Sequence, residues 1–419
     1  MITSGAVSGA VVTGMGVVAP TGIGVEEHWQ AVLAGKSGIG RITRFDPSPY
    51  PVRLAGEVRD FDAAQRVPSR LVPQTDHWTH MAFVAADTAL ADTGVDLATL
   101  PEYEMAVVTA SSSGGTAFGQ REMQQLYRNG PSWVGAYQSI AWFYAATTGQ
   151  ISIRHGMRGP CGVLCAEQAG GLDAIGHARR MVADECRLVV TGGTDASLCP
   201  YGLITQMSVG KVSTVDDADR AYLPFDSAAS GYLPGEGGAI LVVEPAGVLG
   251  DREAYGAVLG YAAGFDPPPD SARPRVLRRV VERALADARV APSDVDVVFA
   301  DAAGTVDDDA DEARAINEVF GPRRVLVTAP KTLTGRLYGG GAPLDVVTAL
   351  LAMRDGVVPH TVGPKTLAPG CEDLDVVVEQ PRERPVSVAL VLSRGYGGFT
   401  AAMVLGRPDD HRIHWRKGS

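Results

Sequence analysis

Apolar residues along the chain alternate between short continuous runs and longer stretches in which they recur three and four positions apart. Short runs are typical of buried strands, and the wider spacing is typical of amphipathic helices. In the first part of the chain this pattern predicts strands at residues 9–22, 105–109, 188–191 and 239–243, and helices at 26–34, 81–93, 118–128 and 168–183. Strands that alternate with helices predict an α/β architecture.

The same alternation resumes after the proline-rich segment GFDPPPDSARP, which begins at Gly264. It predicts helices at residues 274–288 and 343–354 and strands at 295–300, 325–328, 386–392 and 400–405. No short-period repeat is visible, but two comparable α/β halves fit the pattern. We therefore predict one half at residues 1–255, a second at 256–408 and a frayed polar tail at 409–419.

Composition narrows the class of protein. A chain of 419 residues with 45% hydrophobic and 20% charged positions is an ordinary globular mixture that can bury a large core. The net charge of −11 argues against a nucleic-acid partner. No stretch reaches the ~20 apolar residues of a membrane span, and no signal peptide is recognisable. Five cysteines without CxxC spacing favour a reducing cytoplasm.

Three features resemble ligand sites but favour other interpretations. The acidic run at residues 307–312 lacks the Gly and terminal Glu of a calcium loop, so we predict a solvated turn. His411 and His414 belong to the polar tail, which makes a metal pair improbable. The glycines at residues 339–341 are not followed by Gly-Lys-Ser/Thr, so they predict packing turns, not a phosphate cradle. We expect neither a metal nor a cofactor.

Five separated segments carry a resemblance to a known family. They are VVTGMGVVAPTGIG near the start, LCAEQAGGLDAIGHARR at 164–180, PFDSAASGYLPGEGGAILV at 224–242, KTLTGRLYGGGAPLD at 331–345 and SRGYGGFTAAMVL at 393–405. The chain resembles the β-ketoacyl synthases of the thiolase fold, and within them the chain-length factors, the ketosynthase-beta subunits of bacterial type II aromatic polyketide synthases. The resemblance implies a thiolase-like fold of two halves, layered α-β-α-β-α.

The catalytic residues of that family are absent at the matching positions. An active condensing enzyme uses a cysteine at a helix start and two histidines. Here the resemblance places Gln168 at the cysteine, Ala303 at the first histidine and Arg336 at the second, while Lys331 is retained. An amide cannot form a thioester, and a permanently charged guanidinium cannot shuttle a proton. The resemblance therefore implies a subunit that does not condense acyl groups by itself.

Two interpretations of Gln168 remain open at this point. The side chain either caps the following helix and fills space, or its amide polarises a malonyl thioester carbonyl and promotes decarboxylation. Cys161 and Cys165 lie just upstream and are alternative nucleophiles, although free cysteines are commonly small packing residues.

The loop SRGYGG places Arg394 and Tyr396 where the active enzymes have phenylalanines that line and gate the pocket. We expect Arg336 and Arg394 to pair with nearby carboxylates such as Asp173 or Glu167. Such pairs would close the former pocket with a salt-linked plug.

The resemblance also implies partners. A ketosynthase-alpha subunit would form a heterodimer with this chain and supply the cysteine and both histidines, and an acyl carrier protein would deliver malonyl units on phosphopantetheine and receive the chain. The segment at residues 132–156 is rich in Trp, Phe and Tyr, as expected for a hydrophobic interface, although it would also suit an ordinary core.

Chain length is the property that such a subunit would control. The positions that match the family's tunnel lining are Thr116, Gly119 and Met123, which share one helix face. None of the three is a bulky aromatic residue, so we expect a deep tunnel and a product of at least ten ketide units. The alternatives are a stand-alone acyltransferase or malonyl decarboxylase of the same fold, and a non-catalytic acyl-binding module.

Overall fold

The short apolar runs form strands that lie side by side in one large sheet. The computed structural model describes residues 7–268, 271–407 and 416–417. The strands are β1 (Val7–Ser8), β2 (Ala10–Ala19), β3 (Gly22–Ile23), β4 (Ile39–Arg41), β5 (Leu54–Gly56), β6 (Met105–Ala110), β7 (Cys161–Leu164), β8 (Leu188–Ala196), β9 (Glu236–Pro245), β10 (Gly256–Phe265), β11 (Val297–Phe299), β12 (Leu326–Thr328), β13 (Val357–Val358), β14 (Asp375–Val376), β15 (Arg382–Glu383), β16 (Val388–Arg394), β17 (Phe399–Gly406) and β18 (Arg416–Lys417).

The helices follow the wider apolar spacing. They are α1 (Val25–Leu33), α2 (Ala63–Arg66), α3 (His77–Asp92), α4 (Thr116–Asn129), α5 (Gln138–Ala141), α6 (Ala146–His155), α7 (Gly170–Asp184), α8 (Pro200–Met207), α9 (Leu277–Ala288), α10 (Val306–Phe320) and α11 (Gly341–Asp355). Short 3-10 turns connect several of them, including the turn Glu167–Ala169 just before α7.

The order of the strands shows two similar halves. The sheet runs β14-β12-β11-β16-β17-β10-β2-β9-β8-β6-β7. On one side β6 lies parallel to β7 and β8, and β9 lies antiparallel to β8 and β2. On the other side β11 lies parallel to β12 and β16, and β17 lies antiparallel to β16 and β10. Strand β10 joins the halves through a short pairing with β2.

Helices cover both faces and also fill the space between the halves. α3 packs on β2, β8 and β9, and α9 packs on β10 and β17. α7 and α11 lie in the middle, where Leu172 and Leu350 share one core with Leu241 of β9 and Val391 of β16. Every residue from Ala342 to Met353 is buried, as expected for a helix enclosed on all sides. This arrangement confirms the predicted thiolase-like α-β-α-β-α layers.

Several elements differ from the sequence-based expectation. Strand β10 and helices α6 and α8 were not predicted, because their apolar residues are interrupted by Gly, Ser and Thr. The solvated turn predicted at residues 307–312 is wrong, since these residues open α10. Acidic side chains are favourable in a first helical turn because they face its free N–H groups.

The remaining predictions concern the chain's division and its end. The predicted boundary at residues 255–256 falls at the start of β10, which pairs with strands of both halves, and the division itself stays a prediction. Most of the tail, including His411 and His414, lies outside the described residues, whereas Arg416–Lys417 pairs with Val7–Ser8. In the described ranges, no helix combines the length and apolar character needed to cross a membrane.

Candidate functional site

Gln168 lies in the 3-10 turn that connects β7 to α7. Its side chain is 5% exposed, and its Nε2 atom has no hydrogen-bond partner within the described part of the chain. No side-chain hydrogen bond caps α7, so the structure does not support the capping interpretation. The preceding residue, Glu167, has a φ of 51°, a left-handed conformation that is uncommon for a residue with a side chain.

The cavity beside Gln168 is very small. Its volume is about 10 Å³, which leaves room for about one water molecule. Its lining comes from α1, the turn before α7, residues 330–337 and α11: His28, Gln168, Pro330, Lys331, Thr334, Gly335, Arg336, Leu337, Gly341, Leu344, Asp345 and Thr348. An acyl chain does not fit beside Gln168 in this conformation.

Arg336 lines this cavity, and the resemblance predicts the family's second histidine at its position. Its guanidinium forms a two-pronged pair with Asp301, with Nη2–Oδ1 at 2.9 Å and Nη1–Oδ2 at 3.2 Å. It also donates to the Arg394 carbonyl at 2.8 Å and lies over the Tyr232 ring. Burial disfavours the ionised form of Asp301, yet Arg336 and Lys331 hold its pKa below the usual value. Both groups are therefore charged and buried together.

Lys331 has a structural task in the same region. Its Nζ atom lies 2.8 Å from Asp345 of α11 and donates to the carbonyls of Ala300 and Asp301 at 2.6 and 3.1 Å. The retained lysine thus ties the loop after β11 to the central helix.

Ala303 lies on that loop, and two carboxylates of α10 hold the backbone around it. Glu312 accepts the N–H groups of Asp301 and Ala302, at 2.7 and 2.8 Å. Asp309 accepts the N–H of Gly304 at 3.0 Å, and burial raises its pKa to about 7. The acidic run did not predict this role, although Asp309 and Glu312 continue the spacing of the buried Ala313 and Ile316 and so lie on the buried face of α10.

Arg394 and Tyr396 border a second, outer cavity of about 520 Å³, which Ala303 and Glu167 also line. Arg394 donates from Nη1 to the Asp308 carbonyl at 2.9 Å, and its own N–H donates to Asp301 at 2.8 Å. Tyr396 is exposed, and its backbone N–H donates to Glu167 at 2.8 Å. The loop that would gate the pocket is held by its backbone against the buried carboxylates.

Neither predicted carboxylate forms an ion pair with the two arginines in the described part of the chain, although the charge of Arg336 opposes the rise that burial causes in the pKa of Glu167. Asp173 accepts a hydrogen bond from Tyr261 at 2.5 Å, because it lies on the face of α7 that meets β10. Glu167 accepts from the Tyr396 backbone instead. Arg336 pairs with Asp301, and the Arg394 guanidinium lies 3.9 Å from the Asp308 carboxylate. Neither guanidinium is free in solvent.

Cys161 and Cys165 are poorly suited to act as nucleophiles. Partial burial raises the pKa of both thiols, and Asp195 adds to the effect at Cys165. A thiol reacts as its thiolate, so a raised pKa leaves little of the reactive form near neutral pH.

The three predicted tunnel residues follow α4 from the interior to the surface. Thr116 and Gly119 are buried, whereas Met123 is 49% exposed. Met123 borders an open groove of about 240 Å³ together with Gln120, Gln124, Tyr127, Arg128 and Tyr201. Their role in a tunnel stays a prediction.

The aromatic segment at residues 132–156 presents several exposed apolar side chains, and the ring of Tyr144 lies next to those of Trp142 and Phe143. Its exposed members are Trp133, Tyr137, Ile140, Trp142, Phe143, Tyr144 and Ile153, which we call the aromatic patch. Patches of this kind mark interaction surfaces, so an ordinary core is the wrong interpretation for these side chains. Strand β7, the edge strand at this end of the sheet, follows directly after the segment.

Comparison with known proteins defines the class. The β-ketoacyl synthase N-terminal domain matches residues 9–247, and the C-terminal domain of the same family matches residues 255–365. The chain belongs to the β-ketoacyl synthase family.

Particular relatives narrow this further. The tetracenomycin polyketide synthase ketoacyl synthase beta subunit of Streptomyces glaucescens is 57% identical over 95% of this chain and 98% of its own length. The actinorhodin polyketide putative beta-ketoacyl synthase 2 of Streptomyces coelicolor is 54% identical over 95% and 98%. Among solved structures, the ishigamide ketosynthase/chain length factor is similar with a TM-score of 0.88 and 26% identity, over 96% of this chain and 99% of that one.

Proposed function

We propose that the chain is a chain-length-factor subunit that does not condense acyl groups itself and pairs with a catalytic ketosynthase-alpha. The heterodimer builds poly-β-ketone chains for aromatic polyketides. The relatives named ketoacyl synthase beta subunits, which match over nearly their whole length, support this role. The partner supplies the cysteine and the two histidines, and an acyl carrier protein supplies malonyl units on phosphopantetheine. The cysteine usage favours the cytoplasm as the site of this work.

One observation carries the proposal most directly. At the position where a condensing enzyme of this family has its nucleophile, this chain has an amide in a cavity that holds about one water molecule. The buried Arg336–Asp301 pair stands where a histidine would stabilise developing charge. Within the described residues, the pocket lacks a thiol nucleophile and space for substrate, and both ring nitrogens of its imidazole, His28, are hydrogen-bonded to Thr21 and Thr348.

The aromatic patch is the surface we assign to the partner. Stable interfaces are anchored by buried aromatic side chains. The edge strand β7 beside the patch offers unpaired backbone groups that a strand of the partner can bind. Both features lie at the same end of the sheet, where one partner covers them together.

We assign the control of chain length to the face of α4 that carries Thr116, Gly119 and Met123. A reactive poly-β-ketone must be kept from water, and an apolar path between subunits protects it. Met123, which borders the open groove, is not a bulky aromatic residue, so we expect a product of at least ten ketide units. Arg394 and Tyr396 border the outer cavity and have no part in this path.

The test is reconstitution of the purified chain with and without a ketosynthase-alpha, an acyl carrier protein and malonyl donors. We expect polyketide only from the pair, acyl mass on the partner, and none on this chain by intact-mass measurement. Replacing Met123 by Phe should then shorten the product, while an unchanged length would remove the α4 face from the proposal. Condensation by this chain alone would contradict the proposed function and support a stand-alone acyltransferase.

The role of Gln168 is tested in the same assay. Its unpaired Nε2 atom leaves a donor that can polarise a thioester carbonyl, but the present cavity does not admit one. We expect Gln168→Ala to leave malonyl decarboxylation by the pair unchanged, because the partner's histidines perform it. A large loss would assign decarboxylation to Gln168.

A further inference from the structure

Gly119 leaves no empty space on α4, because Trp142 fills the position of the missing side chain. A Cβ atom built on residue 119 would lie 2.7 Å from Cδ1 and 3.4 Å from Nε1 of the Trp142 indole. Carbon atoms pack best at about 3.5–4.0 Å, so a residue larger than glycine must displace the indole. The small residue therefore accommodates an aromatic side chain from another segment.

The backbone of Trp142 is anchored at the start of α4. The N–H of Gly115 donates to the Trp142 carbonyl at 3.2 Å. A Cβ on Gly114 would lie 2.5 Å from that carbonyl oxygen, and one on Gly115 would lie 2.0 Å from the Ala141 oxygen. Two consecutive glycines thus let residues 141 and 142 lie directly against the helix start. The backbone of Trp142 is therefore held in place, which restricts the positions that the indole can take.

Trp142 connects the α4 face to the aromatic patch. The residue is 46% exposed, and its ring lies 6.3 Å from that of Tyr144. The indole offers a flat apolar face and one N–H donor. A poly-β-ketone has alternating methylene groups and carbonyl oxygens, so it can pack on the face and accept from the N–H.

We propose that Trp142 is a further residue that determines chain length. Its indole, seated against Gly119, forms the wall at which the growing poly-β-ketone stops. This inference rests on the proposed function, because it takes from it that the product lies along α4. The size of residue 119 then affects product length by changing the position of the indole, and not by changing the free volume beside α4.

The experiment measures product length by mass spectrometry in the reconstituted pair. Trp142→Ala is expected to shift the main product to a chain longer by at least one ketide unit. Gly119→Ala is expected to shorten the product in the wild-type background, because the methyl group pushes the indole into the path. In the Trp142→Ala background the same Gly119 substitution is expected to have no effect. Tyr103→Ala removes an exposed aromatic side chain outside the aromatic patch, so it is the matched control and should leave the length unchanged.

The outcomes separate this inference from the proposed function. An unchanged product from Trp142→Ala, or equal effects of Gly119→Ala in both backgrounds, overturns the role of Trp142 while the wild-type pair still makes polyketide. A wild-type pair that makes no polyketide overturns the proposed function. If Trp142→Ala does not pair, Trp142→Phe decides the matter, because the smaller ring should lengthen the product and an unchanged length refutes the role.

Discussion

The pocket around Gln168 and the surface around α4 differ in whether their side chains are matched by neighbours within the chain. In the pocket, charged side chains are buried and matched to one another, and the space left over holds about one water molecule. On the surface, large apolar side chains remain exposed and unmatched in the aromatic patch. If the chain does not condense acyl groups, as proposed, its pocket can be filled, but the surface through which it acts must be kept.

The energetic roles of the two regions also differ. Buried ion pairs contribute little net stability, but losing one partner is costly because the other charge stays buried. Exposed apolar side chains contribute little to the folded subunit and gain their energy when a partner covers them. Substitutions in the pocket should therefore change stability, and substitutions in the aromatic patch should change association.

The largest expected effect is on stability, from Asp301→Ala. The substitution leaves the Arg336 guanidinium buried without its carboxylate, which should cost about 3–5 kcal/mol of unfolding free energy. Asp375→Ala is the matched control, because its pair with Arg382 is partly exposed and should contribute less than about 1 kcal/mol. Denaturant unfolding of the purified pair measures both. Equal losses from the two substitutions would show that the pocket is not held by its buried charges.

The next effect is on association, from Phe143→Ala in the aromatic patch. Truncation of an aromatic anchor lowers the binding free energy by about 2 kcal/mol, so the dissociation constant for the ketosynthase-alpha should rise roughly 30-fold. Phe265→Ala is the control, since Phe265 is similarly exposed but borders the outer cavity. A titration by light scattering or calorimetry compares the two variants. If only Phe265→Ala weakened binding, the aromatic patch would not be the partner's binding surface.

A smaller effect concerns the pH dependence of stability. Asp195 accepts the N–H groups of Ser112 and Gly339 below the pocket, and burial raises its pKa to about 7. The folded chain therefore keeps a proton that the unfolded chain releases near pH 4, so stability falls as pH rises from about 4 to 7, by at most about 1.4 kcal/mol per pH unit.

Asp195→Asn removes this titration and keeps one acceptor oxygen. The melting temperature of the variant should decline less between pH 5 and 7 than that of the wild type. Parallel profiles would show that Asp195 titrates normally.

The smallest expected effect is on catalysis, from Gln168→Cys. A thiol at this position has no space for an acyl chain, and the imidazole of His28 in the same cavity is already hydrogen-bonded to Thr21 and Thr348. The purified variant should therefore still form no carbon–carbon bond. The assay follows condensation products from acyl and malonyl carriers by mass spectrometry. Restored condensation would mean that the pocket opens and that the single substitution, not the filled pocket, had removed the activity.

The sequence predicted the fold better than it predicted the contacts. Helices α3, α4, α7, α9 and α11 lie close to their predicted bounds because their apolar spacing reports directly on one buried face. The acidic start of α10 was misinterpreted, because burial of Asp309 and Glu312 depends on N–H groups of a loop that precedes them in the chain. No local pattern shows that such donors will be present.

Gly119 gives a second example. A glycine on a helix face indicates space, and the residues of α4 therefore predicted a deep tunnel there. The structure places Trp142, 23 positions later, in that space. A glycine is needed at this position because the large indole packs against it, and the two residues meet only when the chain is folded.

By itself, the sequence determined the α/β class and the family, and it predicted the absence of the three catalytic residues. These properties depend on residue identity and on spacing along the chain, which a linear pattern contains. Only the tertiary structure decided which carboxylates neutralise Arg336 and Arg394, how little room remains beside Gln168, and what occupies the space at Gly119. Those outcomes depend on distances between residues far apart in the chain, and packing fixes such distances only when all the layers meet.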